Sequence, residues 1–130
     1  MIVLDTHAWL WWLSDPGQLS RAASAVIREA MAEDAVMLSA ISVWELAMLV
    51  DRGRLELDRR VEDFAAQTEA LPFVHLVDLD RRIAIDSVAL DLAHRDPADR
   101  MIAATARHLR APLITKDARL RAWGGVETVW

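Results

Sequence analysis

Apolar positions follow two rhythms along this chain. Short, nearly unbroken runs occur at 2–5 (IVLD), 35–39 (AVMLS), 73–79 (FVHLVDL) and 112–115 (PLIT). They are too short for helices and read as buried strands, while an alternating run at 126–130 (VETVW) reads as an edge strand. Between them, spacings of three and four mark helices. One follows Asp5, with Trp9, Trp12 and Leu13 in line. Ser20 caps a second, which carries Ala23, Val26, Ile27, Ala30 and Met31 on one face. A third covers 42–50 (SVWELAMLV). A fourth covers 58–70, with Val61, Phe64, Ala65 and Thr68 aligned, and a fifth covers 80–93, with Ile83, Val88, Leu90 and Leu92. A sixth runs from Pro97 to about Leu109, carrying Met101, Ile102, Thr105, Ala106 and Leu109, and 118–123 forms a last turn or two. Buried strands separated by helices predict an α/β domain with a mainly parallel sheet covered on both faces. At this length, residues 1–130 form a single domain.

Composition narrows the function. No apolar run approaches the ~20 residues of a membrane span. The opening MIVLDTH lacks the basic segment of a signal peptide, and there is no cysteine, so a cytoplasmic protein without disulfides or thiolate metal sites is expected. The formal net charge is −5, unlike a protein that holds nucleic acid on a basic surface. Fourteen of the fifteen basic residues are arginine, with Lys116 the single lysine.

Four acids stand where helices start or strands end. Asp5 closes the first strand, Glu45 follows the second by six residues, and Asp117 follows the fourth by two. Asp99 opens the helix leading into that fourth strand, in the stretch HRDPADRMIAATA. Each has a structural reading. Asp96, Pro97 and Asp99 suit N-cap, N1 and N3 of a helix, Ser42 and Glu45 suit a capping box, and Asp5 and Asp117 suit N-caps. Jointly they suggest chemistry, because the carboxyl ends of parallel strands share the edge where ligands bind. Four converging carboxylates repel and raise one another's pKa. A hard divalent cation, Mg²⁺ or Mn²⁺, resolves that conflict and suits water attack on a phosphodiester. Without these four groups the formal charge rises from −5 to −1, and two divalent ions neutralise the site.

Four blocks in order, MIVLDTHAWLWWL, SAISVWELAML, HRDPADRMIAATA and LITKDARLRAW, followed by VETVW, resemble the PIN-domain ribonucleases over essentially the whole chain. Within them they are similar to the VapC toxins of bacterial toxin–antitoxin pairs. The resemblance implies a PIN-like three-layer domain with a five-stranded sheet ordered 3-2-1-4-5. It implies a Mg²⁺-dependent endoribonuclease (Mn²⁺ substituting) whose metal and catalytic residues are Asp5, Glu45, Asp99 and Asp117. Thr115 is the hydroxyl close to the fourth acid, and Thr6 and Ser42 are further candidates to hydrogen-bond the carboxylates. RNA as substrate, a VapB-like antitoxin and a homodimer are the implied partners. Asp96 is assigned to capping and left outside the catalytic set.

Other residues receive bland readings. His7, His75, His94 and His108 show no metal-ligand spacing, although His7 and His94 lie near the presumed site loops. Trp11 is expected off the face shared by Trp9 and Trp12, exposed toward a partner. Arg52, Arg54, Arg59 and Arg60 are expected on a solvated face, with phosphate contact the alternative. Rival functions are a Mg²⁺-dependent phosphatase using Asp5, although His7 stands where a second Asp is wanted, a phosphorelay receiver, and a non-catalytic PIN-fold binding module.

Overall fold

The computed structural model describes residues 1–130. Its elements follow in the order β1 (Ile2–Leu4), α1 (Thr6–Ser14), α2 (Arg21–Ala32), β2 (Val36–Ser39), α3 (Ala40–Asp51), α4 (Val61–Glu69), β3 (Val74–Val77), α5 (Arg81–Ala89), α6 (Pro97–Leu109), β4 (Leu113–Ile114), α7 (Ala118–Trp123) and β5 (Thr128–Val129), with a 3-10 turn at Pro16–Gln18. The strands form one sheet ordered β3-β2-β1-β4-β5, and every pairing is parallel. This is the expected order, and VETVW supplies one edge.

Strand alternation splits the apolar residues between two layers. Ile2, Leu4, Val36, Leu38 and Ile114 face one cluster, which includes Trp9, Ile27, Leu46 and Phe64. Val3 and Leu113 face the other, with Ile83, Ile102 and Leu120. Both sides of the central strands are dry, which is why their sequences run apolar without a polar stripe. Trp9 is fully buried, and its indole N–H donates to Thr68 Oγ1 at 3.0 Å. Thr68 passes its own hydrogen to the Phe64 carbonyl at 2.9 Å, so the one polar atom of a large core side chain is satisfied.

Three helix boundaries depart from the pattern. α3 starts at Ala40 with Ser39 as its N-cap, whose hydroxyl accepts from the Ile41 amide at 3.3 Å. The expected Ser42–Glu45 capping box is therefore absent, since Glu45 lies in the second turn and Ser42 is buried inside the helix. α4 starts at Val61 rather than 58, with Asp58 and Arg59 paired side by side ahead of it. α5 ends at Ala89, and residues 90–96 run without regular structure. Leu90, Leu92 and His94 are buried while Asp91 and Ala93 are exposed, a period of two that belongs to an extended chain. That segment carries the chain to Asp99.

Candidate active site

β1 delivers Asp5 to the carboxyl edge of the sheet, and β4 delivers Thr115 and Asp117 beside it. α3, leaving the end of β2, carries Glu45 to the same edge, and the N-terminus of α6 brings Asp99. Asp5, Glu45, Asp99 and Asp117 line one cavity of about 440 Å³, together with Asp96, Thr6, His7, Trp11, Arg54 and Lys116. The four expected acids, far apart in sequence, thus share one pocket.

Two of the four, Asp5 and Asp117, also cap helices, as does Asp96. Asp5 Oδ1 accepts from the Ala8 amide at 2.7 Å. Asp117 Oδ1 accepts from the amides of Arg119 and Leu120 at 2.7 and 3.2 Å. Asp96 Oδ1 accepts from Ala98 and Asp99 at 2.9 and 3.3 Å. A carboxylate has two oxygens, and a cap needs one. Asp117 uses Oδ1 for its helix and turns Oδ2 toward the site, 3.3 Å from His94 Nε2. Capping and chemistry are compatible in one residue, because the cap fixes the carboxylate's orientation.

The acids form two tight groups that share Asp99. Ligand atoms of Glu45, Asp96 and Asp99 lie within 4.8 Å of one another, as do those of His94, Asp99 and Asp117. Asp5 lines the same pocket outside both groups. Burial pushes the Asp5 carboxyl up, against the opposing effects of the Thr115 hydroxyl and the Ala8 amide. Burial also raises Glu45, while the Thr6 hydroxyl beside it favours the charged form. Asp99 is moved furthest, pushed up to about 8 by burial and then by Glu45, Asp96, Asp117 and Asp5. For Asp117 burial is outweighed by the two helix amides and His94, which hold it below the usual range. Four acids with one unsatisfied demand for positive charge are what a divalent cation relieves.

The hydroxyls complete the surroundings. Thr115 Oγ1 accepts from the Asp117 amide at 3.1 Å and sits beside Asp5, so it links two acids. Ser42 Oγ is buried with no hydrogen-bond partner, and Thr6 Oγ1 is buried beside Glu45 without an aligned bond to it. Ser42 lies one turn ahead of Glu45 on the same face of α3. Buried hydroxyls with unused hydrogen-bonding capacity beside clustered acids fit a site that accepts a hydrated cation.

Two expectations change here. Trp11 is half-buried rather than exposed: it lines the acidic pocket, with His7 at 5.5 Å, Trp130 at 5.6 Å and Lys116 Nζ at 5.6 Å from its ring. Trp44 on α3 is the tryptophan that faces solvent, 51% exposed. His94, set aside from the sequence, is buried and lies 2.7 Å from Asp99 Oδ2. Its signal was the alternation LDLAH, which marks an inward-facing position in an extended segment. Of the four arginines after α3, only Arg54 reaches the pocket. His75 sits exposed on β3 with Nε2 2.9 Å from the Asp34 carbonyl, and His108 is exposed on α6.

Comparison with known proteins agrees with this architecture. Ribonuclease VapC22 of Mycobacterium tuberculosis is 38% identical over 122 residues, covering 93% of this chain and 90% of the relative. The crystal structure of FitAcB from Neisseria gonorrhoeae is 26% identical, covers 98% of this chain and 96% of its own, and superimposes with a TM-score of 0.69. A toxin–antitoxin complex from Klebsiella pneumoniae shares the fold at 20% identity, with 97% and 95% coverage and a TM-score of 0.65. The PIN domain family model matches residues 2–125, and the chain belongs to the PIN domain family.

Proposed function

We propose that this protein is a divalent-metal-dependent endoribonuclease and the toxin of a VapBC-type pair, hydrolysing RNA phosphodiester bonds at the pocket built by Asp5, Glu45, Asp99 and Asp117. The observation that carries the reading is the convergence of these four carboxylates on one pocket, where burial and the neighbouring acids push Asp99 up to about 8. Kinship with Ribonuclease VapC22 supports RNA as the substrate.

Asp99 and Glu45, with Asp117 and Asp5 beside them, would hold Mg²⁺ or Mn²⁺. When bound, the ion supplies Lewis-acid charge at the phosphate and makes a nearby water more acidic. The chain's residues supply the rest. The helix caps fix Asp5 and Asp117, Thr115 ties the two together, and Asp99 shares the centre of both acid groups. In the hydrolysis water attacks phosphorus in line, a carboxylate accepts the proton that the water loses, and the bond to the ribose oxygen breaks as that oxygen takes up a proton from solvent. Arg54 and Lys116 on the pocket wall give the flanking phosphates positive partners that the overall charge of −5 does not.

A VapB-like antitoxin and a second copy of the chain are the proposed protein partners. The toxin–antitoxin complexes among the structural neighbours support the first. Exposed apolar side chains, Trp44 on α3 and Ile85 and Val88 on α5, offer surface for both. No helix is long and apolar enough to cross a membrane, in keeping with the proposed cytoplasmic site of action. The test is cleavage of total RNA by the purified chain in Mg²⁺ or Mn²⁺, with cut ends sequenced. A discrete set of ends that disappears with chelator supports the proposal; intact RNA in both metals refutes it.

A further inference from the structure

Asp99 and Asp117 reach the pocket from the starts of two different helices, α6 and α7. One buried side chain touches both. His94, 5% exposed, places Nε2 2.7 Å from Asp99 Oδ2 and 3.3 Å from Asp117 Oδ2. Its spacing alone would suit a metal ligand, since all three groups lie within 4.8 Å. The other ring nitrogen decides against that. The Asp96 amide donates to Nδ1 at 3.3 Å, which leaves the ring hydrogen on Nε2, facing the acids. To become a ligand, Nε2 must give up that hydrogen, and Nδ1 would then point a donor at a donor. Nε2 lies within reach of both carboxylates and makes no aligned hydrogen bond to either, so its hydrogen sits between the two acids.

The loop bearing His94 is fastened from one side. Arg100 directs all five of its N–H groups to main-chain carbonyls: Nε to Ser87, one terminal nitrogen to Leu92 and His94, the other to Val88 and Leu90, at 2.6–3.1 Å. No donor of Arg100 is left for phosphate, despite its place next to Asp99. Its work is to hold the extended segment whose last buried residue is His94.

We propose that His94 is a positioning residue, held by the Arg100 clamp, whose Nε2–H fixes Asp99 and Asp117 in one relative orientation and so presents a preformed edge to the divalent cation. The inference rests on the metal-dependent reading above. It assigns His94 an outer role, orienting ligands rather than binding the ion.

The test combines two readouts on the full chain. In ¹⁵N-labelled protein, ring NMR of His94 reports which nitrogen carries hydrogen, with and without Mg²⁺. Mn²⁺ affinity by electron paramagnetic resonance is then compared for the parent, His94→Ala and His94→Gln. The expected result is hydrogen on Nε2 in both states, Mn²⁺ binding weakened roughly 10–100-fold in His94→Ala, and partial recovery in His94→Gln, whose amide also donates. Loss of the Nε2 hydrogen when metal binds would make His94 a ligand and overturn the proposal. Unchanged or tighter Mn²⁺ binding in His94→Ala would do the same. If His94→Ala does not fold, His94→Gln and the parent's ring spectrum decide. A parent that binds no Mn²⁺ refutes the metal reading itself, while the ring spectrum still reports on His94.

Discussion

Replacing Asp99 by Asn is expected to stabilise the metal-free protein at neutral and mildly alkaline pH. The folded chain holds this carboxyl up to about 8, against an ordinary value of 3.8. A native state that binds a proton more tightly than the unfolded chain loses stability as pH rises. The loss begins as pH passes the unfolded value and is complete once pH exceeds the folded one, so the window runs from about 4 to about 8. At about 1.4 kcal/mol per unit, the full displacement corresponds to roughly 5–6 kcal/mol. The side chain is 21% exposed, and solvent together with small shifts of the neighbouring acids relieves part of this, leaving about 2–3 kcal/mol. Asn keeps the size and carries no charge. Urea unfolding in chelator from pH 5 to pH 9 reads the effect directly: the parent's stability should fall across that range, and the Asn variant's should fall much less. Near pH 8 the variant should be the more stable by about 2–3 kcal/mol, or about 10 °C in Tm for a domain of this size. Parallel pH profiles would refute the reasoning, since they would mean that burial and the neighbouring acids do not hold the Asp99 carboxyl up.

Mg²⁺ or Mn²⁺ should raise the parent's melting temperature by binding the folded state alone, and the combined amide variant of Asp5, Glu45, Asp99 and Asp117 should show no such rise in the same thermal scan. Asp96→Asn should be mild, with melting temperature nearly unchanged and RNA cleavage within a few-fold of the parent, because Asn caps a helix about as well as Asp. Trp9→Ala should cost about 3–5 kcal/mol by urea unfolding, for it empties a fully buried site and removes the indole bond to Thr68. Light scattering at tens of micromolar should give the mass of a dimer, and a monomer there would count against the proposed homodimer.

The layered α/β architecture and the strand order were legible because burial on both faces forces continuous apolar runs such as IVLD and AVMLS. Asp5, Asp99 and Asp117 were legible as candidates because they sit at a strand end or a helix start, where main-chain geometry and ligand chemistry favour the same residue types, whereas Glu45, in the second turn of α3, stood out only by its place in the block SAISVWELAML. What sequence reasoning missed depends on contacts across the chain. Periodicity carried the fifth helix through Leu90 and Leu92, whereas Arg100 draws the carbonyls of that segment out of a helix and into its own hydrogen bonds. His94 follows from the same segment. Ser42 looked like a cap because it stands three residues before Glu45, but Ser39, at the end of β2, takes the cap and starts the helix earlier. Trp11 looked like a partner contact, but β5 returns Trp130 against it and the turn after β4 sets Lys116 over its ring.

The most direct test of the four-carboxylate site is RNA cleavage in Mg²⁺ by antitoxin-free parent and Asp99→Asn protein, side by side, with Asp96→Asn as the control from the same loop. Removing one preorganised charge contact typically costs 10²–10³ in rate, so Asp99→Asn should cleave at least ~100-fold more slowly. It should do so while melting no lower than the parent in chelator, which excludes unfolding as the cause. Normal cleavage by Asp99→Asn would contradict the account and leave Asp99 as a helix-start residue alone.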